Sequence, residues 1–367
     1  MSSTRRRRVQ DMFRGHYKDL VPYTPIVPAD ILSKEEGLSD ARIIKLDGNE
    51  NPYGPSPRAL EALRSYDGFH IYPDPTQRAL RAKLADYVGV VSGQVIVGNG
   101  SDEIIDLLMR LFLDPGDVVL NCPPSFGMYP FSIQVCAGTL VEIPRRADFS
   151  LDLEQVVTRA GDPRTKLIFL TSPNNPTGNL LSLHELKAIL TAEIMVVVDE
   201  AYQEFTEEAS YAQLVSEHEN LAVLRTFSKW AGLAGLRVGY GVMDASLVHI
   251  LDEIKPPYNV NVAALIAAEA SLNDREHLLK NVRLLVQERE RLFQRLKAVP
   301  YLEPLPSEAN FILCRVHSRD AVALKSLLER AGVFVKTVAA PGLENALRIS
   351  VGKPEHTDAL LAALLRI

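Results

Sequence analysis

Cysteine is scarce in this chain of 367 residues: Cys122, Cys136 and Cys314 are the only three, and no two form a CxxC pair. That scatter excludes a disulfide framework and reads as small buried hydrophobes in a reducing, cytoplasmic compartment. The eight histidines form no HxH or HExxH pattern, so no metal site is expected. No apolar run approaches the ~18 residues of a membrane span. Arginines stand near the N-terminus without an apolar stretch behind them, which argues against a secretory signal and leaves an organellar address open. The formal net charge of −6 gives no general attraction to nucleic acid or anionic membrane. The one local exception, four arginines at 5–8, reads as a solvated, frayed terminus.

What remains is an ordinary globular balance, 47% hydrophobic and 23% charged. The length exceeds one average core, so two domains are expected. From about 94 to 243, short apolar runs at 95–97, 118–121, 167–171, 195–199, 221–226 and 238–243 alternate with helical patterns such as 102–112 and 183–191. Runs such as IMVVVD are apolar on both faces, as strands covered by helices on both sides must be. The pattern predicts an α/β fold, a mostly parallel sheet with helices on both faces. A long helical stretch at 275–296 then leads to strands at 311–316, 333–336 and 347–351 and helices at 321–331 and 356–365, a smaller α+β domain. The expected division is a large domain over 45–262, with an N-terminal arm (1–44) joining the small domain (263–367).

Three segments concentrate chemistry. In TFSKWAGLAGLRVGY (226–240), Lys229 stands between the hydroxyls of Thr226 and Ser228 and the guanidinium of Arg237. A lysine among small and apolar residues suits a Schiff base with an aldehyde cofactor, and the neighbours suit its phosphate. Asp199 ends an apolar strand, where ligands sit in open α/β sheets. A carboxylate there suits the protonated nitrogen of a pyridine ring, the pairing that lets pyridoxal phosphate draw electrons from a carbanion; a helix N-cap is the alternative. Tyr202 and Asn174 (in SPNNPTG) suit the cofactor's phenolic oxygen, although NNPTG is also an ordinary turn. GNGSDE (98–103) follows a strand and opens a helix, so the backbone of Gly100, Ser101 and Asp102 offers N–H groups to an anion. Its spacing is not the GxGxxG fingerprint of a nicotinamide enzyme. Phe126 suits either the ring face or the core. Arg348, between apolar neighbours in LRISVG, requires an anion, from a substrate or a structural ion pair.

These segments in this order resemble fold-type I pyridoxal-phosphate aminotransferases, and within them the histidinol-phosphate branch. The resemblance runs from VPYTP (21–25) nearly to the C-terminus. It is carried by KLDGNENPYGPSP (45–57), YPDP (72–75), GNGSDE, PPSFGMY, SPNNPTG, DEAYQEF, the lysine segment, PPYNVN (256–261), SEANFIL (307–313) and LRISVG. It implies amino-group exchange between histidinol phosphate and 2-oxoglutarate, in histidine biosynthesis. Lys229 would hold the cofactor, Asp199 the ring nitrogen, Asn174 and Tyr202 the phenolic oxygen, and Phe126 the ring face, where relatives often have tyrosine. Thr226, Ser228, Arg237 and the backbone of Ser101 and Asp102 would bind the phosphate, with Tyr72 reaching it from the neighbouring subunit of a homodimer. Tyr23, Asn310 and Arg348 would meet substrate. Lys336 stands where relatives commonly carry a second arginine, which keeps the charge and loses the bidentate fork. The alternatives within the fold are an aromatic or aspartate aminotransferase and an amino-acid phosphate decarboxylase.

Overall fold

The computed structural model describes residues 8–28, 31–32, 43–338 and 340–367. Three of the four arginines at 5–8 and much of the expected arm lie outside them; Arg8 is exposed and sits beside Asp11.

After the short strand β1 (Ile44–Leu46), seven strands build the large sheet: β2 (Val95–Gly98), β3 (Val118–Asn121), β4 (Thr139–Glu142), β5 (Thr165–Thr171), β6 (Met195–Asp199), β7 (Leu221–Thr226) and β8 (Gly239–Val242). Their order is β2-β8-β7-β6-β5-β3-β4, with β8 alone antiparallel to its neighbours. Successive residues of one strand enter different cores. Val196 and Val198 join one apolar cluster, while Met195 and Val197 join another on the opposite face. This is the two-sided burial that the unbroken apolar runs require. The helices Ser101–Phe112, Met128–Val135 and Ala245–Ile254 cover one face, and Arg78–Val88, Leu183–Leu190 and Val262–Asn273 the other. Leu183–Leu190 begins where its sequence says it should: Ser182 and Glu185 form a reciprocal capping box.

The 22-residue helix Arg275–Leu296 buries Leu278, Val282, Leu285, Leu292 and Leu296, a stripe at helical spacing. Beyond it lie β9 (Leu302–Pro304), β10 (Phe311–Val316), β11 (Val333–Val338) and β12 (Ala346–Ser350), in the order β1-β11-β12-β10-β9. β1 pairs in parallel with β11, so residues 45 and 46, expected at the start of the large domain, lie in the small sheet. Strand pairing rather than a composition change sets that boundary, and it was invisible in a three-residue run. The register of β10 and β12 sets Phe311 against Ser350 and Leu313 against Arg348.

Candidate active site

A cleft of about 830 Å³ opens at the C-terminal edge of the large sheet. β5 and β6 end there as register partners at Thr171 and Asp199, and β7 ends at Thr226 opposite Gly239 of β8. Ligands in open α/β sheets sit at such edges because the loops that follow parallel strands all gather on one side.

Past β7 the chain turns through residues 227–230 with Phe227 and Trp230 fully buried and Trp230 stacked on Tyr87 at 5.6 Å. These two anchors fix the segment and direct Lys229 into the cleft, where its Nζ donates to the carbonyl of Gly48 at 3.1 Å. Burial, then the positive charges of Arg348 and Arg237, lower the Lys229 pKa to about 8. Among the described residues no carboxylate forms an ion pair with it.

Asp199 lies at the cleft floor. Its Oδ2 accepts from the Tyr129 hydroxyl at 2.9 Å and its Oδ1 from the Ala201 N–H at 3.0 Å. Burial raises its pKa to about 6, and the Tyr129 bond opposes that rise. It is not a helix N-cap, because the next helix, Gln203–Phe205, is capped at Tyr202; the carboxylate is buried with two hydrogen bonds and no ion pair among the described residues.

The other end of the cleft is an anion cradle. Gly100 is the N-cap of the helix Ser101–Phe112 and supplies no side-chain acceptor for the first-turn N–H groups. Gly100 has φ +78°, and a Cβ there would fall 2.6 Å from Arg237 Nη2. A Cβ on Gly239 would fall 2.5 Å from the Ser101 nitrogen, so only glycine lets β8 approach this helix start. Ser101, Asp102, Thr226, Ser228 and Arg237 all line the cleft. The Thr226 and Ser228 hydroxyls are 3.0 Å apart, and Arg237 donates to the Asp102 carboxylate at 2.8 Å.

At the mouth, Tyr23 and Phe126 meet edge to face at 6.4 Å, and Arg348 enters from β12. Arg348 is buried without an ion-pair partner among the described residues. One nitrogen donates to Asn175 Oδ1 at 2.7 Å and another to the carbonyl of Asp47 at 2.6 Å, while Nε has no partner. The ion-pair alternative for Arg348 is thus absent from the described residues, and the group stays available to an anionic ligand.

Five of the expected residues stand apart from this lining. Gly100 touches the cradle from behind, through Arg237. Asn174 is fully buried, donating to the Pro124 carbonyl at 3.0 Å and to Thr177 Oγ1 at 2.6 Å, with its own Oδ1 unpaired. Asn310 lies beneath the cleft and donates to the carbonyl of Asn49 at 2.9 Å. Lys336 lines an adjoining cavity with Tyr23, Asn175 and Arg348. Tyr72 is 78% exposed and stacks on Tyr258. Conversely, sequence reading passed over Tyr129, although it lies inside the PPSFGMY segment, and over Gly48 and Asn49 inside KLDGNENPYGPSP. Asn49 donates to the Tyr202 hydroxyl at 3.0 Å.

These groups match the polar features of pyridoxal phosphate. A buried anion suits the ring nitrogen, an amine of lowered pKa the aldehyde carbon, and an uncapped helix start with hydroxyls and a guanidinium the phosphate. Asn174 stands outside this match: both hydrogens of its amide are donated to Pro124 and Thr177, and the unpaired Oδ1 is a buried acceptor.

Comparison with known proteins gives the family of the chain. The family model for aminotransferases of class I and II matches residues 41–365. The chain is 49% identical to a chloroplastic histidinol-phosphate aminotransferase of Nicotiana plumbaginifolia, over 99% of this chain and 88% of the relative. It is 47% identical to the histidinol-phosphate aminotransferase of Roseiflexus castenholzii, over 98% and 99% of the two chains. Among solved structures, the histidinol-phosphate aminotransferase of Sinorhizobium meliloti in complex with pyridoxal-5'-phosphate superposes with a TM-score of 0.87. It is 26% identical, with 97% of each chain covered.

Proposed function

Because the chain belongs to the class I and II aminotransferase family, we propose that it exchanges an amino group between L-histidinol phosphate and 2-oxoglutarate, as a pyridoxal-phosphate transaminase of histidine biosynthesis. The observation that carries the reading is one cleft that joins a buried Lys229 of lowered pKa, a buried Asp199 and an arginine without an ion-pair partner among the described residues.

Bound with its ring nitrogen at Asp199, the cofactor supplies an electron sink for the pair left on a substrate carbon when its proton departs. Asp199 holds the proton on that nitrogen by staying ionised, a state that the Tyr129 hydroxyl favours. Lys229 would hold the cofactor at its aldehyde carbon and, as a free amine, would take the proton from the substrate's α-carbon onto its Nζ. Thr226, Ser228, Arg237 and the N–H groups of Ser101 and Asp102 would hold the phosphate, Phe126 would cover the ring, and Tyr202 would stand at the phenolic oxygen, to which Asn174 donates only on giving up one of its bonds to Pro124 and Thr177. Arg348 grips the carboxylate of glutamate in one half-reaction and the phosphate ester of histidinol phosphate in the other, with Tyr23, Asn310 and Lys336 beside it. A guanidinium serves both anions because each offers two oxygens to its fork.

The active species is a homodimer in which Tyr72 of the partner subunit reaches the phosphate. The exposed run Phe69, Ile71 and Tyr72, with Tyr258 beneath it, supports this, as a monomer would leave that apolar edge in water. The division into a large unit at about 45–262 and a small one built from both ends of the chain belongs to the same reading, with β1 counted in the small sheet. So does a cytoplasmic location; no described helix is long and apolar enough to cross a membrane.

A single-turnover spectrum tests the assignment. The cofactor-loaded protein is mixed, without acceptor, with L-histidinol phosphate, glutamate, phenylalanine or aspartate. Fast bleaching of the visible band by the first two alone supports the reading. Fast bleaching by phenylalanine or aspartate but not by histidinol phosphate retains a transaminase and discards this substrate. Protein that takes up no cofactor ends the assignment.

A further inference from the structure

Three consecutive residues, Asp47, Gly48 and Asn49, each touch a different side chain of the cleft: Arg348, Lys229 and Tyr202. The contacts to Arg348 and Lys229 use main-chain carbonyls. The contact to Tyr202 uses a side chain and is directional. The Asn49 backbone N–H donates to Ser350 Oγ at 2.8 Å, so that oxygen is an acceptor there. The Ser350 hydrogen then has one acceptor, Asn49 Oδ1, at 2.8 Å. This pair of bonds fixes which end of the Asn49 amide is oxygen, a point that amide geometry alone leaves ambiguous. The NH₂ group therefore faces Tyr202 and donates to its oxygen at 3.0 Å. Reversing the amide would leave the hydrogen of a buried serine without an acceptor.

A tyrosine hydroxyl has one hydrogen. With its oxygen accepting from Asn49, and no acceptor within the described protein taking that hydrogen, Tyr202 points its only donor into the cleft. We propose that Asn49 is a positioning residue: a one-way relay, from the Asn49 N–H through Ser350 and the Asn49 amide, keeps the Tyr202 hydroxyl a donor to the cofactor's phenolic oxygen. The inference rests on the function proposed above. Asn49 sits at φ +52°, a conformation asparagine tolerates and most side chains do not. Ser350 follows Arg348 by two residues on β12, so both side chains leave the strand on the face turned to the cleft.

A donor to the phenolic oxygen stabilises the form of the bound cofactor in which that oxygen is most negative, the unprotonated one, and so lowers the midpoint of its visible pH titration. The test is that midpoint in the loaded protein, in wild type, Asn49→Gly, Ser350→Ala, Tyr202→Phe and the double variant Asn49→Gly/Tyr202→Phe. Glycine keeps the positive φ and deletes the amide; Ser350→Ala unhooks the amide and leaves residue 49 intact. Both single variants should raise the midpoint toward that of Tyr202→Phe, by about one pH unit for a lost hydrogen bond of ordinary strength. The double variant should titrate with Tyr202→Phe alone, because Asn49 acts through that hydroxyl. Wild-type midpoints in Asn49→Gly and Ser350→Ala, or shifts that add to that of Tyr202→Phe, overturn the relay while the titrating wild type leaves the transaminase reading standing. A wild type that binds no cofactor overturns both.

Discussion

Lys336 and Arg348 are register partners across the β11–β12 ladder, and neither forms an ion pair with a described carboxylate. Two like charges set side by side in a half-buried mouth repel: burial and then Arg348 lower the Lys336 pKa, and burial lowers that of Arg348. The small sheet therefore holds an electrostatic debt that an anion in the cleft relieves. Glutamate brings two carboxylates where a simple amine brings none, and a phosphate ester brings a double charge.

Arg348→Gln should raise KM for both glutamate and histidinol phosphate by about 100-fold, the value of a charge-assisted, two-point hydrogen bond at ~3 kcal/mol. Lys336→Gln should cost less, about tenfold, and mainly with the phosphate substrate. Steady-state kinetics for the two half-reactions separate the effects; equal losses for both substrates in Lys336→Gln would remove it from phosphate recognition.

Borohydride treatment of the loaded protein should add cofactor mass to the peptide carrying Lys229 and to no other. Lys229→Ala should lose turnover below detection while retaining weak cofactor binding through the phosphate cradle. Peptide mass spectrometry and a binding titration read the two results separately.

The lowered pKa of Lys229 sets a pH window. In the cofactor-free protein its amine is neutral above about 8, where an ordinary lysine is still charged. The rate of cofactor capture should rise with pH and level off just above 8. The linkage follows with the same sign. Between about 8 and the ordinary value of 10.5 the unfolded chain binds a proton that the folded one does not, so the stability contributed at this site increases with pH. Thermal melts of stripped wild type against Lys229→Met should diverge across that interval; parallel curves would deny the shift.

Tyr129→Phe removes the hydroxyl that donates to Asp199 at 2.9 Å and keeps the ring stacked on Phe169 at 4.8 Å. Expected is a fall in kcat of about tenfold, from a hydrogen bond to a charged group worth ~1.5–3 kcal/mol, with folding retained. Circular dichroism checks the fold, and cofactor affinity at pH 5 and pH 8 checks the cause. The deficit should be larger at pH 5, where Asp199 takes a proton more readily without its donor.

Mixing Lys229→Ala and Tyr72→Ala subunits tests the shared site. If Tyr72 acts across the interface, random re-pairing restores activity to about a quarter of the sites, since half the dimers are mixed and each holds one intact site. No recovery in a mixture shown to exchange subunits would put Tyr72 outside the site.

Much of this architecture was legible in the sequence because burial on both faces writes itself as unbroken apolar runs: β3, β6, β7 and β10 keep the bounds read from the chain. β4 was missed because it is the edge strand, with Thr139 and Glu142 exposed and no run of buried positions to announce it. β1 and β9 have three residues each, too short for any period to show. The site followed the same logic. Lys229, Asp199 and Arg348 stand out because a charge among apolar neighbours demands an explanation. Tyr129 and Asn49 do not, since tyrosine and asparagine fit a core edge or a turn equally well. Their roles arise from partners 70 and 153 residues away, and only the fold supplies those distances.

Asn49 and the serine that fixes its amide are separated by 301 positions, and the arginine at the mouth lies on the same late strand. During synthesis, therefore, the lysine, the carboxylate and the phosphate cradle all leave the ribosome well before the final strand that clamps Asp47–Asn49 in place. A chain paused ahead of β12 has every group needed to capture its cofactor and lacks the clasp that aims the tyrosine and receives the substrate's anion. The groups that would capture the cofactor and the clasp that aims the tyrosine are thus made at different times, and only closure of contacts spanning 301 residues unites them.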